Sequence, residues 1–304
     1  MSCQKDALRR LRGAAHYGVD ERCVGCRSVS YCSARCYKVH WRAAHKAVCK
    51  GVGEANFARA MALAIKGDSA AMYNIGLYFQ KGTGVAKDER EAVAWFRRAA
   101  AAGKIDAQFN LGVFYENGQG VEKDAREAVE WYRRAAEAGH PRAQFQLGVC
   151  YEFERGLGQD PRAAVKWYRR AAEAGYADAQ TLLGACYNNG NGVVKDARTA
   201  VGWFRLAADA GNANAQNNLG VSFMCGEGVE RDARAAVSWY RLAAEAGLAG
   251  AFNNLGRCYE RGIGVDISTH DAIKWYRRAA GAPEDTLGAP EARAALARLG
   301  VASH

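Results

Sequence analysis

The chain repeats itself every 36 residues over most of its length. Six tryptophans and six glycines keep this interval: Trp95, Trp131, Trp167, Trp203, Trp239 and Trp275, and Gly76, Gly112, Gly148, Gly184, Gly220 and Gly256. A fixed period of roughly 20–50 residues is typical of solenoids, in which each repeat buries its apolar face against the next one. The period therefore predicts a stack of six similar units and argues against a single globular core.

One period contains the pattern of two helices. Ala107, Leu111 and Tyr115 recur every four residues, which indicates the apolar stripe of a first helix. Gly118 follows as a helix stop, and a second apolar segment ends at Gly139. With only four prolines in 304 residues, most of the chain can be helical. The sequence thus predicts an all-α solenoid of six helix-pair repeats.

The helix starts carry capping signals. Asp124 precedes the second helix and Glu127 follows three residues later, which predicts a capping box. Pro161 falls at the first position of the corresponding helix in the third repeat, where proline is well tolerated. The sixth repeat has Ser268 in place of the capping aspartate. Glu154 replaces the equivalent of Gly118, so we expect a distorted turn in the third repeat.

The unit resembles the Sel1-like repeat, a longer relative of the tetratricopeptide repeat. The shared motifs are A-x3-L-G-x2-Y, G-x-G-V-x3-D and A-V-x-W-[YF]-R-x-A-A-x-x-G, which cover residues 68–282. The resemblance implies a right-handed superhelix whose concave surface binds other proteins, often in adaptors. Two flanking segments are expected to cap the stack: residues 51–67 as an N-terminal helix, and residues 283–304 as a C-terminal helix and tail.

A second module precedes the array. Residues 1–50 contain six of the ten cysteines. Six residues in this segment have the spacing of metal ligands: Cys23, Cys26, Cys32, Cys36, His45 and Cys49. Residues three or four apart can present two side chains to one ion, and a segment this short needs a metal to fold. In a reducing compartment, such a density of cysteine and histidine favours zinc over disulfides.

The segment 23–49 resembles the second half of a MYND-type zinc finger. It reads C-x2-C-x4-Y-C-x3-C followed by W-x3-H-K-x2-C. The resemblance implies one zinc site formed by Cys23, Cys26, His45 and Cys49. It also implies that Cys32 and Cys36 belong to a second site, whose first C-x2-C pair is missing here. Cys3 and His16 are irregularly spaced substitutes for that pair. Fingers of this family bind proline-containing peptides of partner proteins.

A row of polar residues recurs on the first helices of the array. It consists of Asn74, Asn110, Gln146, Asn218 and Asn254, with Leu182 as the exception. Side-chain amides both donate and accept hydrogen bonds, so such a ladder could hold the backbone of an extended peptide. The same amides could instead bond adjacent repeats to each other. The preceding position varies more, and we predict that Phe109 and Phe145 from this row contribute to specificity.

Other recurring residues have a structural interpretation. Cys150, Cys186 and Cys258 occupy one repeat position, and a stack separates equivalent positions by roughly 10 Å. They therefore cannot share a metal ion, and we expect them in the core, with Cys225 at the surface or in a turn. The tryptophan row is likewise expected to form the core between the paired helices.

These features favour a non-enzymatic scaffold that binds partner proteins through the finger and the concave face. The alternative is a transcriptional or chromatin regulator that contacts nucleic acid, because residues 1–50 carry a net charge of +8 out of +10 for the whole chain. No phosphate-binding loop, Ser/His/Asp set or SET domain is recognisable, so no enzyme and no small-molecule substrate are expected. No apolar run approaches the ~20 residues of a membrane span, and no signal peptide is evident. A cytoplasmic or nuclear location is expected.

Overall fold

The computed structural model describes residues 21–22, 30–31, 46–283, 286 and 288–301. For residues 21–22, 30–31 and 46–52 it describes the backbone alone. Two compact units are present, Met1–Lys123 and Asp124–His304, and the division falls within the second repeat. Within the described residues there are fourteen helices and one two-stranded antiparallel ribbon. The prediction of an all-α fold built from six helix-pair repeats is confirmed. The handedness of the superhelix stays a prediction.

The helices follow the predicted order. In the first unit, the strands are β1 (Glu21–Arg22) and β2 (Ser30–Tyr31), and the helices are α1 (Lys46–Ala64), α2 (Ser69–Lys81), α3 (Glu89–Ala101) and α4 (Ile105–Asn117). In the second unit, the helices are α5 (Ala125–Glu137), α6 (Pro141–Glu152), α7 (Pro161–Glu173), α8 (Ala177–Asn189), α9 (Ala197–Asp209), α10 (Ala213–Cys225), α11 (Ala233–Glu245), α12 (Ala249–Arg261), α13 (Thr269–Ala280) and α14 (Ala289–Arg298). From α2 to α13, first and second helices of the repeats alternate.

Helix α1 packs as the second helix of an incomplete repeat. Gly53 is the repeat equivalent of Glu89, because it stands 36 residues earlier. A Cβ added to the turn glycine Gly84 would lie 2.2 Å from the Gly53 carbonyl oxygen. In the next repeat, a Cβ on Gly120 would meet the Glu89 carbonyl oxygen at 2.3 Å. The same close approach therefore joins α1 to the first complete repeat. Because α1 begins at Lys46, it runs through the predicted boundary at residues 50 and 51.

Aspartate caps begin five of the six second helices. The side chain of Asp232, for example, accepts hydrogen bonds from the backbone N–H groups of Arg234 and Ala235. In the first repeat, Glu91 stands three residues after Asp88, but the backbone N–H of Asp88 donates to the Phe79 carbonyl of the paired first helix at 3.0 Å. The capping box of this repeat is therefore only half formed, since the donor that Glu91 would satisfy is already bonded to the neighbouring helix. Of the predicted Asp124–Glu127 box, the structure shows the bond from the Glu127 backbone N–H to the Asp124 carboxylate.

The third repeat has the distorted turn that Glu154 predicts. Glu154 adopts φ 57°, and it is the only non-glycine with positive φ among the described residues. Helix α6 ends at Glu152, one residue earlier than its equivalents, and Phe153 at its C-cap is 58% exposed. The five other repeats all place glycine in the left-handed region at this position, as Gly190 does at φ 80°.

In five of the repeats, the helix pair closes on a glycine and an aromatic ring. A Cβ on Gly220 would lie 2.6 Å from the ring of Tyr240, which is buried. The same contact joins Gly148 to Tyr168 and Gly184 to Phe204. The prediction that the tryptophans form this core is therefore wrong, because the residue after each tryptophan occupies it. The tryptophans are half-buried, and Trp239 packs against a core cluster that spans its own repeat and the preceding one.

The cysteine predictions for the array are confirmed. Cys150, Cys186 and Cys258 are buried in separate repeats, whereas Cys225 is exposed at the end of α10. Within the part of the chain that the structure describes, no helix has the length and hydropathy needed to cross a membrane.

Candidate peptide-binding groove

The predicted zinc ligands fall mostly outside the described residues. This applies to Cys23, Cys26, Cys32, Cys36 and His45. Cys49 lies in the first turns of α1, although its side chain is not described. The donor set of thiolates and imidazole is the set that zinc prefers, so the chemistry of these residues fits the metal. Elsewhere in the described chain, no group of three or more potential metal ligands occurs.

A groove of about 420 Å³ runs along the first helices of the second unit. The lining residues come from α6, α8, α10, α12 and the segment before α14: Phe145, Asp178, Thr181, Leu182, Ala185, Asn212, Asn214, Asn217, Asn218, Leu248, Gly250 and Thr286. First helices line it because each repeat presents the same helix face. The groove thus combines several side-chain amides with apolar side chains, and Asp178 is its one ionisable group.

Three predicted positions meet in this groove. Phe145, from the variable row, lies at one end, where its ring is 5.2 Å from the ring of Tyr176. Burial raises the pKa of Tyr176, and nearby Asp178 adds to this effect, so the phenol stays protonated. Asn218 from the ladder and Leu182, the exception in the ladder, also line the groove. The groove therefore presents both an amide and an aliphatic surface at ladder positions.

Part of the ladder bonds adjacent repeats instead. The Nδ2 of Asn254 donates to the Oδ1 of Asn217 in the preceding repeat at 2.9 Å. The Nδ2 of Asn110 donates in the same way to the hydroxyl of Tyr73 at 3.3 Å. These two contacts match the second interpretation of the ladder. Since an amide has further donor and acceptor capacity, a half-buried Asn254 retains atoms that a peptide could engage.

The remaining predicted residues are not brought into the groove. Gln146 is half-buried and is not part of the lining, and Asn74 is exposed on α2 in the first unit. Phe109 is 6% exposed, which leaves little of its ring for a partner molecule. The exposure of the side chain just before the ladder position therefore differs along the array: Phe109 is buried, whereas Phe145 is partly accessible.

Sequence reasoning missed the polar residues one turn before the ladder. Asp178 and Asn214 line the groove, and the Nδ2 of Asn212 donates to the Oδ1 of Asp178 at 2.7 Å. Asp178 and Asn214 each precede a ladder position by four residues, so they share its helix face. This spacing is the signal that could have revealed them.

A second amide row was also missed. Gln144, Gln180 and Gln216 are buried, and each donates its Nε2 to the last turn of the preceding second helix, at 3.1–3.2 Å. The acceptors are the carbonyls of Ala136, Ala172 and Ala208. The Ala-Gln pair that recurs every 36 residues was the available signal. These glutamines stabilise the stacking of repeats and leave the ladder positions to face the groove.

Helix pairs that stack in sequence order and present the same face of every first helix define a helical-repeat protein. The model of the Sel1 repeat matches residues 69–104, 105–140, 141–176, 177–212, 213–248 and 251–282. The chain therefore belongs to the Sel1 repeat family. The model of the MYND finger matches residues 1–49, so the chain also carries that module.

Several solved structures share this fold, and two of them are also similar in sequence. A protective antigen of uropathogenic Escherichia coli strains that displays an SLR fold is 33% identical, with a TM-score of 0.71 over 80% of this chain and 56% of the antigen. A Sel1 repeat protein from Oxalobacter formigenes is 36% identical, with a TM-score of 0.66 over 71% of this chain and 86% of that protein. This chain thus spans little more than half the length of the antigen. Comparison with curated protein sequences found no match.

Proposed function

We propose that this protein is a non-enzymatic scaffold that holds an extended segment of a partner protein in the groove of its second unit. The observation that carries the proposal is the composition of the groove. Asn217 and Asn218 offer donors and acceptors beside the apolar surfaces of Leu182 and Leu248. Amides can bond a peptide backbone whatever its sequence, while apolar surfaces select aliphatic or aromatic side chains.

The charge of the groove narrows the chemistry of the ligand. Asp178 is the single ionisable residue in the lining, and Asn212 already bonds its carboxylate. A strongly charged peptide would lose hydration there without gaining an opposite charge. The preferred ligand is therefore an uncharged extended segment with at least one apolar side chain.

The finger would provide a second binding site for proteins. In this proposal Cys23, Cys26, His45 and Cys49 hold one zinc ion, and Cys32 and Cys36 contribute to a second site. Four protein ligands with thiolate donors make a closed structural site, so the metal would stabilise the finger without catalysing a reaction. A proline-containing peptide is the expected ligand of this module. The scaffold would act in the cytoplasm or nucleus.

The proposal is tested by affinity capture from a nuclease-treated lysate with four versions of the full chain. They are the wild type, a groove variant with Leu182→Ala and Asn218→Ala, the finger variant Cys23→Ser, and a control, Val194→Ala. Val194 is exposed and outside the groove lining. We expect the groove variant to lose one set of partners and Cys23→Ser another, while the control keeps both. Retention of every partner by the groove variant would contradict the proposal.

The same experiment tests nucleic-acid binding. Residues 1–50 carry eleven Lys and Arg against three acidic residues. If the basic finger region acts through nucleic acid, partner recovery disappears after nuclease treatment, and binding weakens steeply with salt. We expect recovery to survive nuclease treatment, because the groove carries one acidic group and no basic one.

A further inference from the structure

The outer surfaces of α9 and α11 differ from those of the other second helices. Four repeats have arginine three residues after the tryptophan: Arg98, Arg134, Arg170 and Arg278. The fourth and fifth repeats have Leu206 and Leu242 at this position, and these side chains are 53% and 43% exposed. Two large apolar side chains therefore face solvent at equivalent places on two consecutive second helices.

The arginines elsewhere cover the tryptophans. The guanidinium carbons of Arg98, Arg134 and Arg170 lie 4.5–4.7 Å from the ring centroids of the tryptophans three residues earlier. This cation–π geometry keeps a charged group at the surface above each ring. Leucine cannot supply a charge, so an apolar side chain stands three residues after Trp203 and Trp239, where the other repeats have a cation.

The two leucines belong to the second helices of consecutive repeats. Helix α10 packs against both α9 and α11, and Trp239 of α11 packs against a core cluster that contains Phe204 of α9 and Leu219 of α10. Leu206 and Leu242 hold the same position on α9 and α11, so both apolar side chains lie on the surface that these two helices expose.

The sequences of α9 and α11 differ from those of the other second helices at a second position. Gly202 and Ser238 stand where the other repeats have Ala94, Glu130, Lys166 and Lys274. Gly202 is exposed within α9, and no described heavy atom lies within 4 Å of the place its Cβ would occupy. Glycine inside a helix costs about 1 kcal/mol relative to alanine. Packing within the described chain does not use this missing side chain, whereas a helix from another molecule could approach closely there.

The charges at the ends of these helices indicate which molecule could bind this surface. Arg198 and Arg234 are exposed near the starts of α9 and α11, and Asp209 and Glu245 are exposed at their ends. An antiparallel copy of the same surface places each arginine opposite a carboxylate of the other copy. The leucines then meet in the middle, over Gly202 and Ser238. A surface that complements itself in this way fits a two-fold contact.

We propose that the face formed by Arg198, Gly202, Leu206, Asp209, Arg234, Ser238, Leu242 and Glu245 is the site at which a second copy of this chain docks. In the resulting dimer, α9 of one protomer lies antiparallel to α11 of its partner. Because the two helices approach closely at Gly202 and Ser238, Leu206 and Leu242 become buried in the interface.

The test measures the mass of the full chain in solution by multi-angle light scattering over a range of concentrations. The wild type is expected to double its mass as concentration rises. The variant with Leu206→Arg and Leu242→Arg is expected to stay monomeric. Four other repeats have arginine at this position, so we expect both substitutions to be compatible with folding. A control, Ile267→Arg, changes another exposed apolar residue and should still dimerise.

A second variant tests the close approach. Gly202→Glu introduces the residue type of Glu130 and favours the helix, so it should prevent dimerisation without lowering the thermal midpoint measured by circular dichroism. A wild type that is monomeric at every concentration would overturn the proposal. So would a dimer that persists in the arginine variant or in Gly202→Glu.

Discussion

Glu154 occupies a backbone conformation that costs free energy at the level of a single residue. Its φ of 57° is one that non-glycine residues adopt with a penalty of about 1 kcal/mol or more. We expect Glu154→Gly to raise the free energy of unfolding by roughly 1 kcal/mol, because glycine adopts this region without a steric cost. Urea unfolding of both chains, followed by circular dichroism, measures the difference.

The matched control for this change is Gly190→Ala, at the same turn one repeat later. Gly190 has φ 80°, and an added Cβ would have its nearest contact at 3.4 Å from the Cβ of Lys195, an ordinary distance. The substitution should therefore destabilise by about 1 kcal/mol through the backbone alone. If both variants unfolded at the same urea concentration as the wild type, the turn would not hold the strain we assign to it.

The buried thiols of the array should resist alkylation. Burial raises the pKa of Cys186 to about 12, with a further contribution from Glu152, and burial raises that of Cys258 to about 11. Because the thiolate is the nucleophile, iodoacetamide at pH 8 should modify exposed Cys225 at least about a hundredfold faster than these two residues. Site-resolved mass spectrometry of the native protein checks the order. Equal rates would contradict the burial.

At the level of helices, the closest contact of each pair should control stability. A Cβ on Gly220 would lie 2.6 Å from the buried ring of Tyr240, so Gly220→Ala forces the two helices apart. Overpacking of this kind costs roughly 1–3 kcal/mol. Gly202→Ala is the contrasting change, since its Cβ meets open space and alanine favours the helix by about 1 kcal/mol. The two glycine-to-alanine variants should therefore shift the thermal midpoint in opposite directions.

The closing helix α14 should dock in a pH-dependent manner. Arg298 donates to the Oε1 of Glu260 on α12 at 2.6 Å, and the hydroxyl of Tyr276 donates to its Oε2 at 2.7 Å. Burial acts to raise the pKa of Glu260, but these two hydrogen bonds outweigh it, so the pKa lies below its ordinary value. The stabilisation is therefore present above the ordinary glutamate pKa of about 4.3. It is lost as the pH falls through the lower folded-state pKa.

Arg298→Met tests this contact. The variant should unfold more easily than the wild type at pH 7, and the difference should vanish in acid as Glu260 becomes protonated. Lys274→Met, which removes an exposed positive charge from α13, serves as the control and should show a small difference at every pH. A difference for Arg298→Met that does not change with pH would rule out the carboxylate as its origin.

Periodicity and capping signals were sufficient to predict the helix pairs, because each depends on neighbouring residues. Asp124, Pro161 and Glu154 all act where the sequence places them. The core was harder to predict, since Trp239 and Tyr240 are adjacent and both apolar. Which of the two faces Gly220 depends on how the helices are rotated, and that rotation is a property of the packed pair.

For the whole molecule, the groove was predictable only in part. The 36-residue register placed Leu182 and Asn218 on one helix face, and both line the groove. The register could not show that Asn254 would bond Asn217, because that contact depends on the rise and rotation between repeats. Thr286 could not be predicted from the repeat at all, since it enters from the segment before α14.

The finger and the array should respond separately to the loss of metal. Helix α1 contains Cys49 near its start and buries Ala60 and Ala64 against Ile75 of the first repeat. These apolar contacts stabilise the array end of α1 without a metal, whereas a zinc finger depends on its ion for folding. Chelation or Cys23→Ser should therefore release zinc while most of the helical signal and the main thermal transition remain.

Metal content and circular dichroism, measured on the same samples, check this prediction. One zinc ion per chain that is lost in Cys23→Ser but retained in Cys36→Ser would assign the metal to Cys23, Cys26, His45 and Cys49 alone. Two ions, of which each variant loses at least one, would show that Cys32 and Cys36 find further ligands. If chelation instead unfolded the repeats, the helix continuous from Cys49 to Ala64 would couple the two modules, and the array could not bind partners independently of the finger.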